Sequence, residues 1–188
     1  MRAIFCVDPG ESTGVAWAIL DETARTAIEA VRNRIERDSR TLVGPERDQI
    51  RQLYHMWTTF KRKAVNVGLL DPEKVDLVVE DFVLYPGERP GRATTTPERI
   101  AWGFEGYRMA MSDSWRKSLP KHYNEIIWQK SGAAHTFSRR TILEAADAWI
   151  VGKQHERSAL AHMILRTNVL MDNRSSRLIT RASARPRD

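Results

Sequence analysis

The chain has 188 residues, which is enough for one domain with a hydrophobic core and short for two. Its 30 Lys and Arg against 24 Asp and Glu give a formal net charge of +6, which favours a polyanionic partner. No run of about 18 apolar residues predicts a membrane span and no signal-peptide pattern opens the chain, so we expect a cytoplasmic protein. The single Cys6 is interpreted as a buried structural thiol.

The first strong pattern is an apolar run from Ile4 that ends at Asp8, turns through Pro9 and Gly10, and resumes as a second apolar run to Leu20. This pattern predicts a β-hairpin with a carboxylate near one end of the sheet. An Asp before Pro-Gly also forms turns through its own side chain. Asp8 therefore keeps a structural interpretation beside the functional one until partners are found.

The remaining elements follow from hydrophobic periodicity and turn signals. A third antiparallel strand is predicted over Arg25–Val31, followed by a charged loop over Arg32–Arg40. The later predictions are a helix over Arg47–Val67, a strand over Val75–Val83, a loop over Tyr85–Pro97, a helix from Pro97 to about Met111 capped by Thr96, a strand over Asn124–Gln129, a connection over Lys130–Phe137, a helix over Arg139–Ile150 capped by Ser138, and a helix over His155–Leu165.

The best buried strand of the chain, over Val75–Val83, contains the adjacent carboxylates Glu80 and Asp81. Successive side chains of a strand point to opposite faces, so at most one of these two acids can share a site with Asp8. The residues alone do not choose between them.

Polar groups recur at the start of the last predicted helix. His155, Ser158 and His162 are separated by steps of three and four residues, which places them on one helical face. A buried, hydrogen-bonded histidine is the commoner use of any single one of them.

Three motifs together resemble the RuvC-like Holliday junction resolvases, a branch of the RNase H-like nucleases, and in particular their phage-encoded members. They are Asp8-Pro9-Gly10 with Thr13-Gly14 after the first strand, Val78-Val79-Glu80 in the central strand, and His155-x-x-Ser158-Ala159-Leu160-Ala161-His162 in the last helix. The resemblance spans about residues 1 to 170 in the expected order. It implies an α/β RNase H-like fold with a mixed sheet of about five strands, the first three antiparallel, flanked by helices.

The resemblance also implies a metal-dependent, structure-selective endonuclease that resolves Holliday junctions or other branched DNA as a homodimer. Two Mg²⁺ or Mn²⁺ ions would catalyse phosphodiester hydrolysis. Such ions prefer hard oxygen ligands, which carboxylates supply. In this interpretation Asp8 bridges the ions, Glu80 binds one of them, and His155 occupies the first of two ligand positions in the last helix.

Ser158 departs from the family pattern, because typical members have Asp at the second helix position. A neutral hydroxyl is a poor replacement for a carboxylate ligand. Asp81, Asp147 or Glu156 are candidates to compensate, although Glu156 points about 100° away from His155 on a regular helix. His162 is a candidate to orient Ser158.

Basic and aromatic side chains near the predicted loops are candidate DNA contacts. The basic candidates are Arg89, Arg92, Lys130, Arg139 and Arg140, and the candidates for base stacking are Tyr85 and Phe137. Residues 1–171 are predicted to form the nuclease domain and residues 172–188 a basic, disordered tail.

Two other functions stay open at this stage. Ser158 favours a branched nucleic-acid-binding module with weak or no catalysis. The segment Asp8–Gly14 also resembles the first phosphate loop of actin-like phosphotransferases, which predicts a second, equivalent domain for which 188 residues leave no room.

Overall fold

The computed structural model describes residues 1–69, 71–81, 92–115 and 125–183. Its strands are β1 (Arg2–Asp8), β2 (Thr13–Leu20), β3 (Glu36–Leu42), β4 (Val75–Asp81) and β5 (Ile126–Lys130). Its α-helices are α1 (Ala27–Arg32), α2 (Glu46–Asn66), α3 (Arg92–Trp115), α4 (Arg140–Ala145) and α5 (Gln154–Ser183). Short 3₁₀ turns occur at Pro72–Lys74 and Ser131–Ala134. In these described ranges no helix is both long and apolar enough to cross a membrane.

The strands form one mixed sheet in the order β3-β2-β1-β4-β5. β1, β2 and β3 are antiparallel neighbours, whereas β4 is parallel to both β1 and β5. The predicted mixed sheet of five strands, with the first three antiparallel, is confirmed. Because β1 and β4 run in the same direction in register, with Val7 opposite Val79, their carboxyl ends bring Asp8 beside Glu80.

The two faces of the sheet carry separate hydrophobic cores. Phe5 and Val79 pack with α2 and α3 on one face, whereas Cys6 and Val78 pack with α5 on the other. By strand alternation Asp8 and Glu80 project from the α5 face and Asp81 from the α3 face. Glu80 is therefore the acid that shares a face with Asp8.

The third strand was predicted in the wrong place. Residues 27–31 of the predicted strand belong to α1, whereas most of β3 lies in the segment predicted as a loop. Thr26 Oγ1 accepts a hydrogen bond from Glu29 N at 3.1 Å, and Glu29 accepts one from Arg25 N at 2.9 Å. This capping box is a sequence signal for a helix start that outweighs the apolar content of the segment. β3 is polar because it lies at the edge of the sheet, where charged residues are common.

Three helix boundaries also differ from the predictions. α3 begins at Arg92 and contains Pro97, so Thr96 lies inside the helix and does not cap it, although a proline inside a helix removes one backbone hydrogen bond and crowds the preceding turn. α4 is shorter than predicted and is followed by Asp147 in the left-handed region at φ 52°. The Ser138 hydroxyl donates to His135 O at 2.7 Å and does not cap α4.

α5 continues to Ser183, so residues 172–183 of the predicted disordered tail are helical. No glycine or proline interrupts the sequence between Gly152 and Pro186, which explains why the helix does not end where apolar residues become scarce. The division into a domain and a tail at residue 171 stays a prediction.

Asp76 joins three elements at the end of the sheet away from Asp8. Its carboxylate lies 3.1 Å from Arg2 Nη1 and 3.1 Å from Arg166 Nε, and its side chain is 8% exposed. Replacing Asp76 by Ala would leave two partly buried guanidinium groups without their anion. We expect Asp76→Ala to lower the free energy of unfolding by about 2–4 kcal/mol in urea denaturation.

The matched control is Glu125→Ala, because Glu125 is exposed near the start of β5. Equal stability losses in the two variants would contradict a structural role for the Arg2–Asp76–Arg166 cluster.

Candidate active site

The carboxylates of Asp8 and Glu80 form the centre of the candidate site. Each residue is 7% exposed, and the two carboxyl groups lie close enough for each to shift the pKa of the other. They lie at the carboxyl ends of adjacent parallel strands, under the first turns of α5. The structure therefore brings together the two acids that the sequence singles out, and it removes the ambiguity between Glu80 and Asp81.

The two carboxyl groups titrate differently because their surroundings differ. Burial raises the pKa of Asp8 to about 6; the hydrogen bond with His155 opposes this rise, and the charge of Glu80 adds to it. Burial alone would raise the pKa of Glu80, but its contacts with His162 and Asp8 hold that pKa below the ordinary value. In weakly acidic solution Asp8 therefore holds the proton and Glu80 carries the negative charge.

His155 contacts Asp8 from the first turn of α5. Its Nδ1 lies 3.2 Å from Asp8 Oδ2, and 41% of its side chain is exposed. The hydrogen bond with Asp8 raises the pKa of His155 above 6.5, although partial burial opposes that rise. One ring thus touches both the buried carboxylate pair and solvent.

Ser158 and His162 contact Glu80 from the next turns of α5. Ser158 Oγ donates to Glu80 Oε2 at 3.3 Å. His162 is buried, its Nδ1 lies 2.8 Å from Gln129 Oε1, and its Nε2 lies 3.2 Å from Glu80 Oε2. The distance from Nε2 to Glu80 suits an ion pair, but the geometry does not suit a hydrogen bond. In the described part of the chain Nε2 therefore has no hydrogen-bond partner.

His155, Ser158 and His162 therefore all face the carboxylate pair, as their spacing predicts. The imidazole of His162 contacts Glu80 and Gln129, and Ser158 contacts the same Glu80 oxygen, so an effect of His162 on Ser158 would pass through Glu80. Sequence reasoning missed Gln129. Its signal is the register of β5, in which Gln129 lies directly opposite Glu80.

Gly14 allows α5 to begin close to Asp8. It pairs with Asp8 across the hairpin, and a Cβ atom built on it would lie 2.0 Å from His155 O and 2.9 Å from His155 Cβ. No real side chain tolerates such distances to backbone atoms. The glycine is required by the approach of the His155 backbone to β2.

Gln49 supports the turn that follows Asp8. This buried side chain in α2 donates from Nε2 to Glu11 O and to Gly44 O, each at 2.9 Å. One amide thus connects the β1–β2 turn to the segment before α2, which limits the freedom of the turn beside the carboxylate pair.

The acids proposed to compensate for Ser158 are directed elsewhere. Glu156 accepts hydrogen bonds from Ser39 Oγ at 3.2 Å and from Thr41 Oγ1 at 3.0 Å on β3. Asp147 is exposed and lies 2.7 Å from Arg34 Nη2. Asp81 projects from the opposite face of the sheet. Glu156 and Asp147 thus have their described partners elsewhere, and compensation of Ser158 by one of these acids stays a prediction.

Ser158 also lines a cleft of about 620 Å³ that contains two arginines, of which Arg140 is paired with Glu144 at 2.7 Å. Arg140, Trp149 and Arg157 line it, and both guanidinium groups lie over the Trp149 ring, at 5.5 Å for Arg140 and 4.6 Å for Arg157. Arg157 was not among the predicted DNA contacts. In the sequence, the position of Arg157 directly before Ser158 was the indication that it lies near the candidate site.

The other predicted DNA contacts are placed as follows. Lys130 ends β5, and Arg139 precedes α4; both side chains are exposed. Arg92 begins α3, but its side chain lies outside the described part of the structure. Arg89 and Tyr85 lie outside the described residues altogether.

Among the residues that the structure describes, no three His, Cys, Asp or Glu side chains are arranged as a ready-made metal cluster. The contacts at the site are instead carboxylate to imidazole, with His155 on Asp8 and His162 on Glu80. The donors nevertheless include two carboxylates in mutual contact.

The sheet order, the parallel β1–β4–β5 half and the helices on both faces define an RNase H-like α/β fold. Searches with protein-family models and among curated proteins gave no match. Among solved structures the chain is similar to T. thermophilus RuvC in complex with a Holliday junction substrate, with a TM-score of 0.54 and 9% identity over 92% of this chain and 97% of that chain. A second Thermus thermophilus RuvC structure has a TM-score of 0.47 and 10% identity over 91% of this chain and 97% of that chain.

The chain thus has a RuvC-like fold. Membership of the phage-encoded branch stays a prediction.

Proposed function

We propose that the protein is a divalent-metal-dependent endonuclease that cuts branched DNA, four-way junctions above all, by phosphodiester hydrolysis. The observation that carries this proposal is the buried Asp8–Glu80 pair at the carboxyl ends of two parallel strands. The RuvC-like fold supports it, since the similar T. thermophilus protein was solved with a Holliday junction substrate.

The residues of the site fit a divalent cation. Two buried carboxylates in contact repel each other, and this repulsion contributes to the raised pKa of Asp8. A cation between them would relieve the repulsion, and hard oxygen donors suit Mg²⁺ or Mn²⁺. Such ions would activate a water molecule and neutralise charge on the leaving oxygen.

The side chains of the chain then have distinct roles. Asp8 and Glu80 supply the charged donors, and His155 either joins them as a donor or orients Asp8 through its 3.2 Å contact. Ser158 and His162 fix the position of Glu80. The two-ion arrangement implied by the family resemblance stays a prediction, because Ser158 supplies no charge at the second helix position.

The surface beside the site suits a DNA backbone. Arg140 and Arg157 line the same cleft as Ser158, and a guanidinium group is well shaped to bind phosphate. A strand in this cleft would pass the carboxylate pair. Lys130, Arg139 and the undescribed Arg89 and Arg92 side chains are further proposed contacts.

A four-way junction has approximate two-fold symmetry and requires two paired cuts. We therefore propose that the protein acts as a homodimer with one site in each copy. Sedimentation of the protein with and without a junction would test this assembly.

The proposal is tested with a labelled four-way junction and a linear duplex of matched sequence, each incubated with Mg²⁺, Mn²⁺ or a chelator. We expect cutting of the junction with either metal, at least about tenfold slower cutting of the duplex, and no cutting with chelator. Cutting that persists in chelator would contradict a metal-dependent mechanism.

A junction-binding protein with weak catalysis is the second candidate. The observation that favours it is Ser158, which donates a hydroxyl hydrogen bond to Glu80 where a carboxylate would bind a cation. Tight binding of the junction without cutting in either metal would support this alternative.

The Ser158→Asp variant tests whether a missing charge limits activity. A third carboxylate beside Glu80 should strengthen cation binding, so we expect the Mg²⁺ concentration for half-maximal cutting to fall about tenfold, a gain of about 1.4 kcal/mol. The measurement is a Mg²⁺ titration of cutting rate. Ser158→Asn serves as the control, because its side chain has nearly the size of Asp without the charge. Equal titration curves for the two variants would contradict the idea that a missing charge limits activity.

A further inference from the structure

Two tryptophans lie exposed side by side at the carboxyl edge of the sheet. Trp102 on α3 is 63% exposed and Trp128 on β5 is 39% exposed. Their ring centroids are 5.3 Å apart and their planes are inclined by 43°. Large aromatic surface left in contact with water marks a site of interaction more often than a structural need.

The pair forms one wall of a cleft of about 330 Å³. Glu80, Asp81, Glu98 and Ala101 also line this cleft. Trp128 lies opposite Val79 in the strand register and so faces α3, on the side of the sheet away from Asp8. Glu80 thus belongs both to the lining of this cleft and to the candidate active site, although the cleft lies on the α3 face of the sheet.

The chemistry of the cleft selects against a phosphate and for a base. Asp81 and Glu98 would repel a phosphodiester, which is bound instead by cations such as Arg140 in the cleft on the opposite face. Aromatic rings stack on the flat face of any nucleobase that is not paired. Carboxylate oxygens accept hydrogen bonds from exocyclic amino groups, as Glu and Asp do from cytosine N4.

We propose that Trp102 and Trp128 bind one unpaired nucleobase at the DNA branch, with Asp81 and Glu98 favouring cytosine over thymine. The inference rests on the proposed function, since the base belongs to the DNA that passes the carboxylate pair. A strand that crosses the edge of the sheet at Glu80 presents a phosphate to one face and a base to the other.

This site replaces the stacking residues expected from sequence. Phe137 is half-buried and packs against the core on the α5 face, which favours a packing role over stacking. Tyr85 lies outside the described residues.

Binding is measured by fluorescence anisotropy with labelled four-way junctions that carry one unpaired cytosine, one unpaired thymine or one abasic position at the branch. Chelator is present throughout, so that cutting does not contribute. We expect the wild type to bind the cytosine junction about tenfold more tightly than the abasic junction, with the thymine junction between them.

The variants separate stacking from recognition of the amino group. Trp102→Ala and Trp128→Ala should each bring the affinities for the cytosine and abasic junctions to within about twofold of each other, whereas Trp102→Phe should keep most of the difference. Glu98→Gln should reduce the preference for cytosine over thymine without removing the difference from the abasic junction. Val151→Ala, at a residue 83% exposed, is the control for loss of surface apolar area.

The outcomes separate failure of the base-binding inference from failure of the proposed nuclease function. Unchanged discrimination in both Ala variants would overturn the inference, even if the junction is cut as proposed. Discrimination between bases without any cutting in metal would sustain the inference and contradict the proposed function. If Trp102→Ala instead lowers the sedimenting mass and leaves the base preference intact, the pair belongs to an interface between copies, and the inference fails.

Discussion

Replacing Asp8 by Asn is expected to stabilise the metal-free protein while abolishing its activity. Asn has nearly the shape of Asp but carries no charge, so it removes the cost of burying that charge and its repulsion from Glu80. We expect the free energy of unfolding at pH 7.5 to rise by about 2 kcal/mol and the cutting rate to fall about 10³-fold, as loss of several kcal/mol of metal-assisted catalysis requires.

The pH dependence gives the sign of the stability effect. The pKa of Asp8 is about 6 in the folded protein against 3.8 ordinarily, so the folded state binds this proton more tightly. The stabilisation from that proton is complete below pH 3.8 and is lost as the pH rises through about 6. Because its pKa is also raised, His155 likewise makes the folded protein less stable as the pH rises above 6. The stability that Glu80 contributes is lost only as the pH falls below about 4.5.

Urea denaturation in chelator between pH 4.5 and pH 7.5 measures this difference. The advantage of Asp8→Asn over the wild type should grow across the interval. Asp147→Asn is the matched control, because Asp147 is exposed and its carboxylate pairs with Arg34. A variant less stable than the wild type at pH 7.5 would contradict the charged, buried pair.

Replacing Gly14 by Ala is expected to damage both stability and activity. The added Cβ would meet His155 O at 2.0 Å, and the neighbouring atoms belong to the backbone of α5. The helix start must therefore move, at a cost of about 1–3 kcal/mol, and the contact of His155 with Asp8 moves with it. We expect the cutting rate to fall by about 10²-fold, the scale of a 1 Å misplacement in an active site.

Gly106→Ala is the control for this substitution. Gly106 is exposed in α3 with nothing within 4 Å of a built Cβ, so Ala should stabilise the helix by up to about 1 kcal/mol. The two variants thus have opposite predicted signs. Similar stabilities for Gly14→Ala and Gly106→Ala would contradict the close approach of α5.

The elements that organise the site were predictable because their patterns are strong. β1, β2 and β4 are nearly continuous apolar runs, and strand alternation places Glu80 and Asp81 on opposite faces, although only the β1–β4 register shows that Glu80 shares the face of Asp8. The spacing of His155, Ser158 and His162 likewise places them on one helical face. These features depend on local periodicity, which a single sequence carries.

Features that depend on register or on contacts between distant elements were not predictable. Gln129 enters the site because β5 pairs with β4 in one register, and Gly14 is required because α5 begins beside β2. The third strand was misplaced because β3 is a polar edge strand, while the capping box at Thr26 went unrecognised. Trp102 and Trp128 are 26 residues apart in sequence, and only the sheet and α3 bring their rings together.

The central claim is that the buried Asp8–Glu80 pair performs metal-dependent cutting. Its most direct test compares the rate at which wild type, Asp8→Asn, Glu80→Gln and Asp147→Asn cut a labelled four-way junction in Mg²⁺. We expect Asp8→Asn and Glu80→Gln each to cut about 10³-fold more slowly, while Asp147→Asn cuts at the wild-type rate. Wild-type cutting by either Asp8→Asn or Glu80→Gln would contradict this claim.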